Sequence, residues 1–242
     1  MKQIVMFSGG ASSAYTAKLV IDKYGRENTI LLHTPTYAEH ETAETFHQQV
    51  AEYLRMEIAT QEDGRSLWQL IEDYNCLPSF HMPFCTEQLK IKQTDKFLRK
   101  MSKDANVHYG FGIDEYRRIQ KVMTRLLAKG HSTEFIVYQN KIPNESIKGI
   151  IKEEWKIELP QPYKYLQHNN CIPCFKGGKG HFEQVCKYYP VEFERAVQME
   201  KKIGHTVFKD CNLEEFREKV MKSKDQITFL NNDFNIPCEC WD

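Results

Sequence analysis

With 242 residues and 41% hydrophobic side chains, the chain holds enough apolar material for one domain of ordinary size plus a small addition. Its 33 Lys and Arg balance its 33 Asp and Glu, which argues against a dedicated nucleic-acid coat or an acidic tail but leaves room for a local basic patch. No apolar run approaches the roughly 20 residues that cross a bilayer, and the apolar part of the N-terminal MKQIVMF is too short for a secretory signal, so the expected setting is the cytoplasm, without membrane contact.

In chain order, QIVMF at 3–7 is a short apolar run ended by Ser-Gly-Gly, the pattern of a buried parallel strand. Ala14, Ala17, Leu19 and Val20 then recur at helical spacing up to Tyr24, with Gly25 as a stop. TILLH at 29–33 reads as a second strand, and Phe46, Val50 and Leu54 mark a helix from about Thr42 to Leu54. MEIAT at 56–60 is a third strand, SLWQLIEDY at 66–74 a short helix, and 75–85 a loop. A helix from Thr86 to Met101 carries Leu89, Phe97 and Leu98 on its apolar side; VHYGFG at 107–112 is a strand running into a glycine turn, followed by a basic helix at about 114–128.

Strand and helix alternate with short links, which predicts an α/β, Rossmann-like parallel sheet with helices on both faces. Ligands of such sheets bind at the carboxyl ends of the strands, so the loops 8–13, 33–41 and 110–118 carry the expected chemistry. Past Pro160 and Pro162 the pattern changes to helical stretches at about 181–202 and 213–222 without strands. The expected division is an α/β nucleotide-binding domain over 1–160 and a small helical, cysteine-rich subdomain over 161–242.

Eight cysteines are many for a cytosolic chain, where disulfides are rare, and most of them follow residue 170. Cys171-Ile172-Pro173-Cys174 and Cys238-Glu239-Cys240 are two close pairs far apart in sequence, as a four-thiolate site requires. Zn²⁺ and a [4Fe–4S] cluster would use the same ligands, and the spacing does not separate them. Cys186 and Cys211 are substitutes, as are His168, His181 and His205 for zinc; Cys186, inside a helical stretch, is expected to pack as a small apolar side chain.

Ser8-Gly9-Gly10-Ala11-Ser12-Ser13 lies between a strand and a helix. Glycines admit close backbone approach, the following helix presents free N–H groups with its positive dipole end, and the hydroxyls add donors: an anion site. Ser8-Gly9-Gly10-x-x-Ser13 resembles the S-G-G-x-D-S loop of the PP-loop ATP pyrophosphatases, an adenine nucleotide alpha hydrolase-like superfamily that includes sulfonucleotide reductases, tRNA thiolases and DNA-sulfur-modification ATPases. Ser12 stands where the common motif has Asp. Further segments resemble the phosphoadenosine phosphosulfate (PAPS) reductase branch with its phage and plasmid relatives: His33-Thr34 with Glu39-His40 and Thr45 (a D-T-x-x-E region), Cys85-Thr86-x-x-Leu89-Lys90 (C-T-x-x-L-K), Gly110 through Asp114 and Glu115 to Arg118 (G-x-x-x-x-E-x-x-R), and Cys171-x-x-Cys174-x-Lys176-Gly177-Gly178 (C-x-x-C-x-K-G-G).

On the residues themselves, Thr86 is placed to cap a helix, Lys90 lies one turn on, and Glu115 and Arg118, three apart on a helix, are placed to pair and to aim the guanidinium fork at an oxyanion. The resemblance implies an enzyme that binds ATP or another adenine nucleotide with Mg²⁺. Ser8, Gly9, Gly10, Ser12, Ser13, Thr34, Cys85, Thr86, Gly110 and Asp114 are then the expected nucleotide contacts, with Lys90, Glu115 and Arg118 as catalytic groups. Three functions follow from it: cleavage of ATP between its α and β phosphates to adenylate an acceptor, with sulfur transfer in view; reduction of a sulfonucleotide; and nucleotide binding without turnover. Reduction in this family uses a C-terminal E-C-G-[LI]-H, whereas the chain ends Glu239-Cys240-Trp241-Asp242. Basic stripes on the helices near 90–103 and 117–129 leave a nucleic-acid acceptor open, and a homodimer is open as well. The aromatic cluster Tyr163, Tyr165, Tyr188, Tyr189 and Phe193 reads as core.

Overall fold

A computed structural model describes residues 1–101 and 105–222. Five strands form one sheet in the order β3-β2-β1-β4-β5, with β1 (Gln3–Met6), β2 (Thr29–His33), β3 (Ile58–Thr60), β4 (Asn106–His108) and β5 (Ser132–Glu134). Every pairing is parallel; Val5 sits beside Leu31 on one side and beside His108 on the other. The order reverses between β1 and β4, which places a crevice at their carboxyl ends.

Alternation along the strands sends side chains to two buried faces. Val5, Phe7 and Leu31 pack with α1 (Ala11–Tyr24), α2 (Glu41–Leu54) and α8 (Asn144–Glu153). Ile4, Met6, Leu32 and Val107 pack on the other face against α5 (Lys92–Lys100) and α6 (Tyr116–Leu127). The Rossmann-like α/β expectation holds, with helices on both faces. Gly25 closes α1 at φ 85°, a conformation suited to glycine, and its N–H donates to Ile21 O.

A third apolar cluster joins α3 (Leu67–Tyr74) and α4 (Phe84–Thr86) to α9 (Lys179–Tyr188), α10 (Pro190–Ile203) and α11 (Leu213–Lys222). Trp68, Leu70, Ile71 and Leu89 share this core with Phe182, Phe193 and Phe216, so the C-terminal helices lie against the α/β layer. Cys186 is buried in it, as its helical position suggested.

The structure differs from the sequence reading in three respects. β5 and the helices α7 (Ile136–Gln139) and α8 were not anticipated; the Ser-Thr-Glu of β5 has no apolar residue to mark it as a strand. The helix expected from Thr86 starts at Phe84 and passes through a π-helical turn at Glu87–Ile91, so Thr86 lies inside it and caps nothing. The stretch 181–202 is two helices, because Pro190 lacks the N–H that would continue the first and starts the second. No described helix is long and apolar enough to cross a membrane.

Candidate functional site

The loop after β1 is held in shape by its own hydroxyls and by residues far away in sequence. Gly9 takes φ +80°, and a Cβ there would overlap the His47 ring. The Ser13 hydroxyl donates to Gly10 O at 2.8 Å and lies 3.2 Å from the Ser8 N–H and 3.3 Å from Ser8 Oγ, closing the loop on itself. Asn169 Nδ2 donates to Gly9 O at 2.8 Å, and Ser12 Oγ donates to Asn144 Oδ1 at 2.9 Å. The Ala11 N–H, one of the free donors at the start of α1, is accepted by the Tyr163 hydroxyl at 2.9 Å. Burial pushes the Tyr163 phenol up to about 12, so it stays protonated and keeps a hydrogen to donate onward.

The loop after β4 closes the other wall. Gly110 passes so close to α1 that a Cβ would lie 2.7 Å from Ser12 C and O. The Glu115 carboxylate accepts from the Gly112 N–H at 2.7 Å and forms an ion pair with Arg118. The Arg118 guanidinium lies 4.3 Å from the centre of the Phe111 ring, a cation–π contact, and is only 8% exposed. The expected Glu115–Arg118 pair therefore forms, and its arginine is fixed in direction by the carboxylate and the ring.

These walls line an open cleft with room of about 110 Å³. Ser8, Gly10, Ser12, Ser13, Gly110, Glu115 and Arg118 line it together with Lys90, from the π-helical turn. Glu39 also lines it, with its carboxylate taken up by the Thr36 hydroxyl at 2.6 Å and by the N–H groups of Thr36 and Ala38. Of the remaining expected contacts, Gly9 acts through its backbone, Thr34 is buried outside the cleft, and Asp114 is exposed beside it.

Cys85 and Thr86 line an adjoining small cavity of about 20 Å³, which shares Lys90 with the cleft and is also lined by Cys171, Cys174 and Lys176. Lys176 Nζ donates to Thr86 Oγ1 at 2.9 Å, and Cys171 Sγ lies 3.1 Å from the Thr36 hydroxyl. His181 Nε2 accepts from the Cys174 N–H at 2.9 Å, and burial holds that imidazole neutral, down to about 4. His181 thus orders the turn after the cysteines, and the same nitrogen is not free to bind zinc. Among the described residues no three or more His, Cys, Asp or Glu are grouped as a metal site; Cys238 and Cys240 lie outside the described residues.

The sequence does not mark Tyr163, Asn144, Asn169 or His47 as site residues. Tyr163, Asn144 and Asn169 line the cleft and hold its loop, so Tyr163 is not the core residue its aromatic neighbours suggest. No local pattern ties them to residues 8–13, more than 130 positions away. A third cavity, of about 410 Å³, meets the cleft at Glu39 and is lined by His33 and His47. Their rings meet edge-on with centroids 4.4 Å apart, and His33 Nδ1 donates to Phe7 O at 3.0 Å. Burial lowers both imidazoles, His47 to about 3, so both are neutral near pH 7. His47 Nε2 has no hydrogen-bond partner among the described residues.

Residues 2–121 match the phosphoadenosine phosphosulfate reductase domain. No curated protein sequence matches the chain. The matched stretch runs from β1 into α6 and includes the loop 8–13, Cys85–Lys90 and Gly110–Arg118, whereas Tyr163, Asn169 and the Cys171–Cys174 pair follow it.

Proposed function

Residues 2–121 belong to the phosphoadenosine phosphosulfate reductase domain family, a PP-loop family of enzymes that bind adenine nucleotides, and from that premise we propose that the chain cleaves ATP between its α and β phosphates to adenylate an acceptor. The observation that carries this reading is convergence. The loop 8–13, Lys90 and the Glu115–Arg118 pair come from different loops at the carboxyl side of the sheet, yet they line one cleft at the β1–β4 crevice. Free N–H groups at the start of α1 receive the phosphates, with the loop hydroxyls turning from Gly10 O and Asn144 Oδ1 to donate to them. Lys90 and Arg118 neutralise the charge that grows on the pyrophosphate as the acceptor's nucleophilic atom bonds to the α phosphorus and the bridging α–β P–O bond breaks. Mg²⁺ held with the phosphates through Glu39, the cleft carboxylate not paired to an arginine but already accepting from Thr36 and Ala38, would supply further charge neutralisation.

The reading keeps 161–242 as a subdomain with a four-thiolate site of Cys171, Cys174, Cys238 and Cys240, holding Zn²⁺ or a [4Fe–4S] cluster. Its support is the spacing of the two pairs and the cavity that Cys171 and Cys174 share with Lys90.

A second reading, sulfonucleotide reduction, is favoured by one observation: Cys85, Cys171 and Cys174 line the cavity that shares Lys90 with the cleft. The products separate the readings. AMP and pyrophosphate from ATP and Mg²⁺, in the presence of an acceptor extract, support ATP cleavage. Sulfite and adenosine bisphosphate from a phosphosulfate with a dithiol support reduction. Nucleotide binding with neither set of products would leave a binding module and refute both.

A further inference from the structure

The charge balance of the whole chain hides a strong local imbalance. Residues 92–129 contain ten Lys or Arg against four Asp or Glu, which leaves 23 against 29 for the rest. This excess falls on the two helices that cover one face of the sheet, α5 and α6. Lys129 forms an ion pair with Asp95, so the stripes of the two helices meet and continue one another. On α5, Lys92, Lys96 and Arg99 share the exposed side, as their spacing of four and three residues requires. Arg117 is exposed on α6, and neither it nor Lys96 has an ion pair among the described residues. Next to the basic stripe, α6 carries a second, apolar one: Tyr116, Met123 and Leu127, seven and four residues apart, are 53%, 40% and 57% exposed. Both stripes begin beside Arg118, the residue that lines the cleft.

Cations alone would suit any polyanion. Cations in line with an exposed aromatic and other apolar side chains suit a single strand, whose phosphates follow the charge while its unpaired bases lie on the apolar surface. A duplex buries those base faces and has no use for the second stripe. We propose that the α5–α6 face docks a single-stranded polynucleotide, RNA or DNA, and leads it to the mouth of the cleft. Its role as the adenylated acceptor rests on the ATP-cleavage reading; its binding does not.

The test is fluorescence anisotropy with labelled single strands of about 20 nucleotides, RNA and DNA in separate arms, beside the matching duplex, from about 50 to 300 mM KCl. The expected result is tighter binding of a single strand than of the duplex, with log affinity falling against log salt at a slope of about −2 to −4, as for three to six phosphate contacts. The triple variant K96E/R99E/R117E weakens binding at least tenfold and flattens that slope, while Tyr116→Ala weakens it several-fold with the slope unchanged. ATP binding, measured in parallel, stays at the wild-type level in both variants, because none of these residues lines the cleft. No binding at the lowest salt, equal binding of duplex and single strand, or an unchanged slope in the triple variant overturns the proposal. Pyrophosphate release is not needed for any of these readouts, so failure of the ATP-cleavage reading would be seen separately.

Discussion

Gly110→Ala tests the cleft at its tightest point. The new Cβ would lie 2.7 Å from Ser12 C and O and 2.8 Å from Ser13 N. These are backbone atoms, so no rotamer relieves the overlap; reaching ordinary contact near 3.4 Å requires the loop and the start of α1 to retreat by about 0.7 Å. Overpacking of this kind costs roughly 1–3 kcal/mol, which for a chain of this length lowers Tm by about 2–10 °C. The effect on the ligand is larger in proportion, because a misplacement of about 1 Å costs up to 100-fold where donors must meet an anion in fixed geometry. The expected outcome in calorimetric titration is a loss of nucleotide affinity of at least tenfold, with far-UV circular dichroism unchanged. Gly149→Ala is the control. It lies inside α8 with nothing within 4 Å of the new methyl, so it gains about 0.5–1 kcal/mol from helix propensity and leaves the affinity alone. A Gly110→Ala protein with wild-type Tm and affinity would refute the account of the two loops as mutually fitted walls.

Tyr163→Phe removes the acceptor of the Ala11 N–H and costs about 1 kcal/mol in urea unfolding; an unchanged midpoint would show that the loop does not depend on it. Arg118→Lys keeps the charge but loses the planar fork that meets Glu115 and stacks on Phe111, so pyrophosphate release should fall by roughly 10–100-fold with the fold intact; full activity would remove Arg118 from the mechanism. His47 titrates near 3 when folded, below its ordinary 6.5, so the unfolded chain binds the extra proton between those values and stability falls as pH drops through that window. Between pH 6.5 and 5 this amounts to about 1–2 kcal/mol, His108 and His181, both near 4, add to the same acid limb, and His47→Leu should make the loss smaller; equal acid losses in wild type and variant would contradict it. Protein purified without air should contain either zinc or iron with acid-labile sulfide, lost in a Cys171→Ser/Cys174→Ser variant; a metal-free wild type would remove the four-thiolate site.

What the sequence made legible were features whose cause is local. A glycine pair after an apolar run marks a strand-to-helix turn wherever it occurs, and Glu115–Arg118 is a pair because a helix brings residues three apart together. β5 was invisible because an edge strand of Ser-Thr-Glu is defined by its register with Asn106–His108 and not by its own pattern. The same holds for the π-helical turn at Glu87–Ile91: the helix already starts at Phe84, so Thr86 caps nothing and its hydroxyl accepts from Lys176.

The substitution of Ser12 for the motif's Asp also becomes intelligible only in three dimensions. Ser12 donates to Asn144, Gly9 accepts from Asn169 and Ala11 donates to Tyr163, so three neutral groups from outside the α/β repeat hold the loop. A carboxylate at position 12 would find a carbonyl oxygen at Asn144 Oδ1 and would bring negative charge next to a bound phosphate. With serine there, position 12 adds no negative charge to a cleft that already carries the carboxylates of Glu39 and Glu115 beside Lys90 and Arg118. Under the proposed ATP cleavage, the loop would attract phosphate by dipoles and leave the handling of growing charge to Lys90 and Arg118.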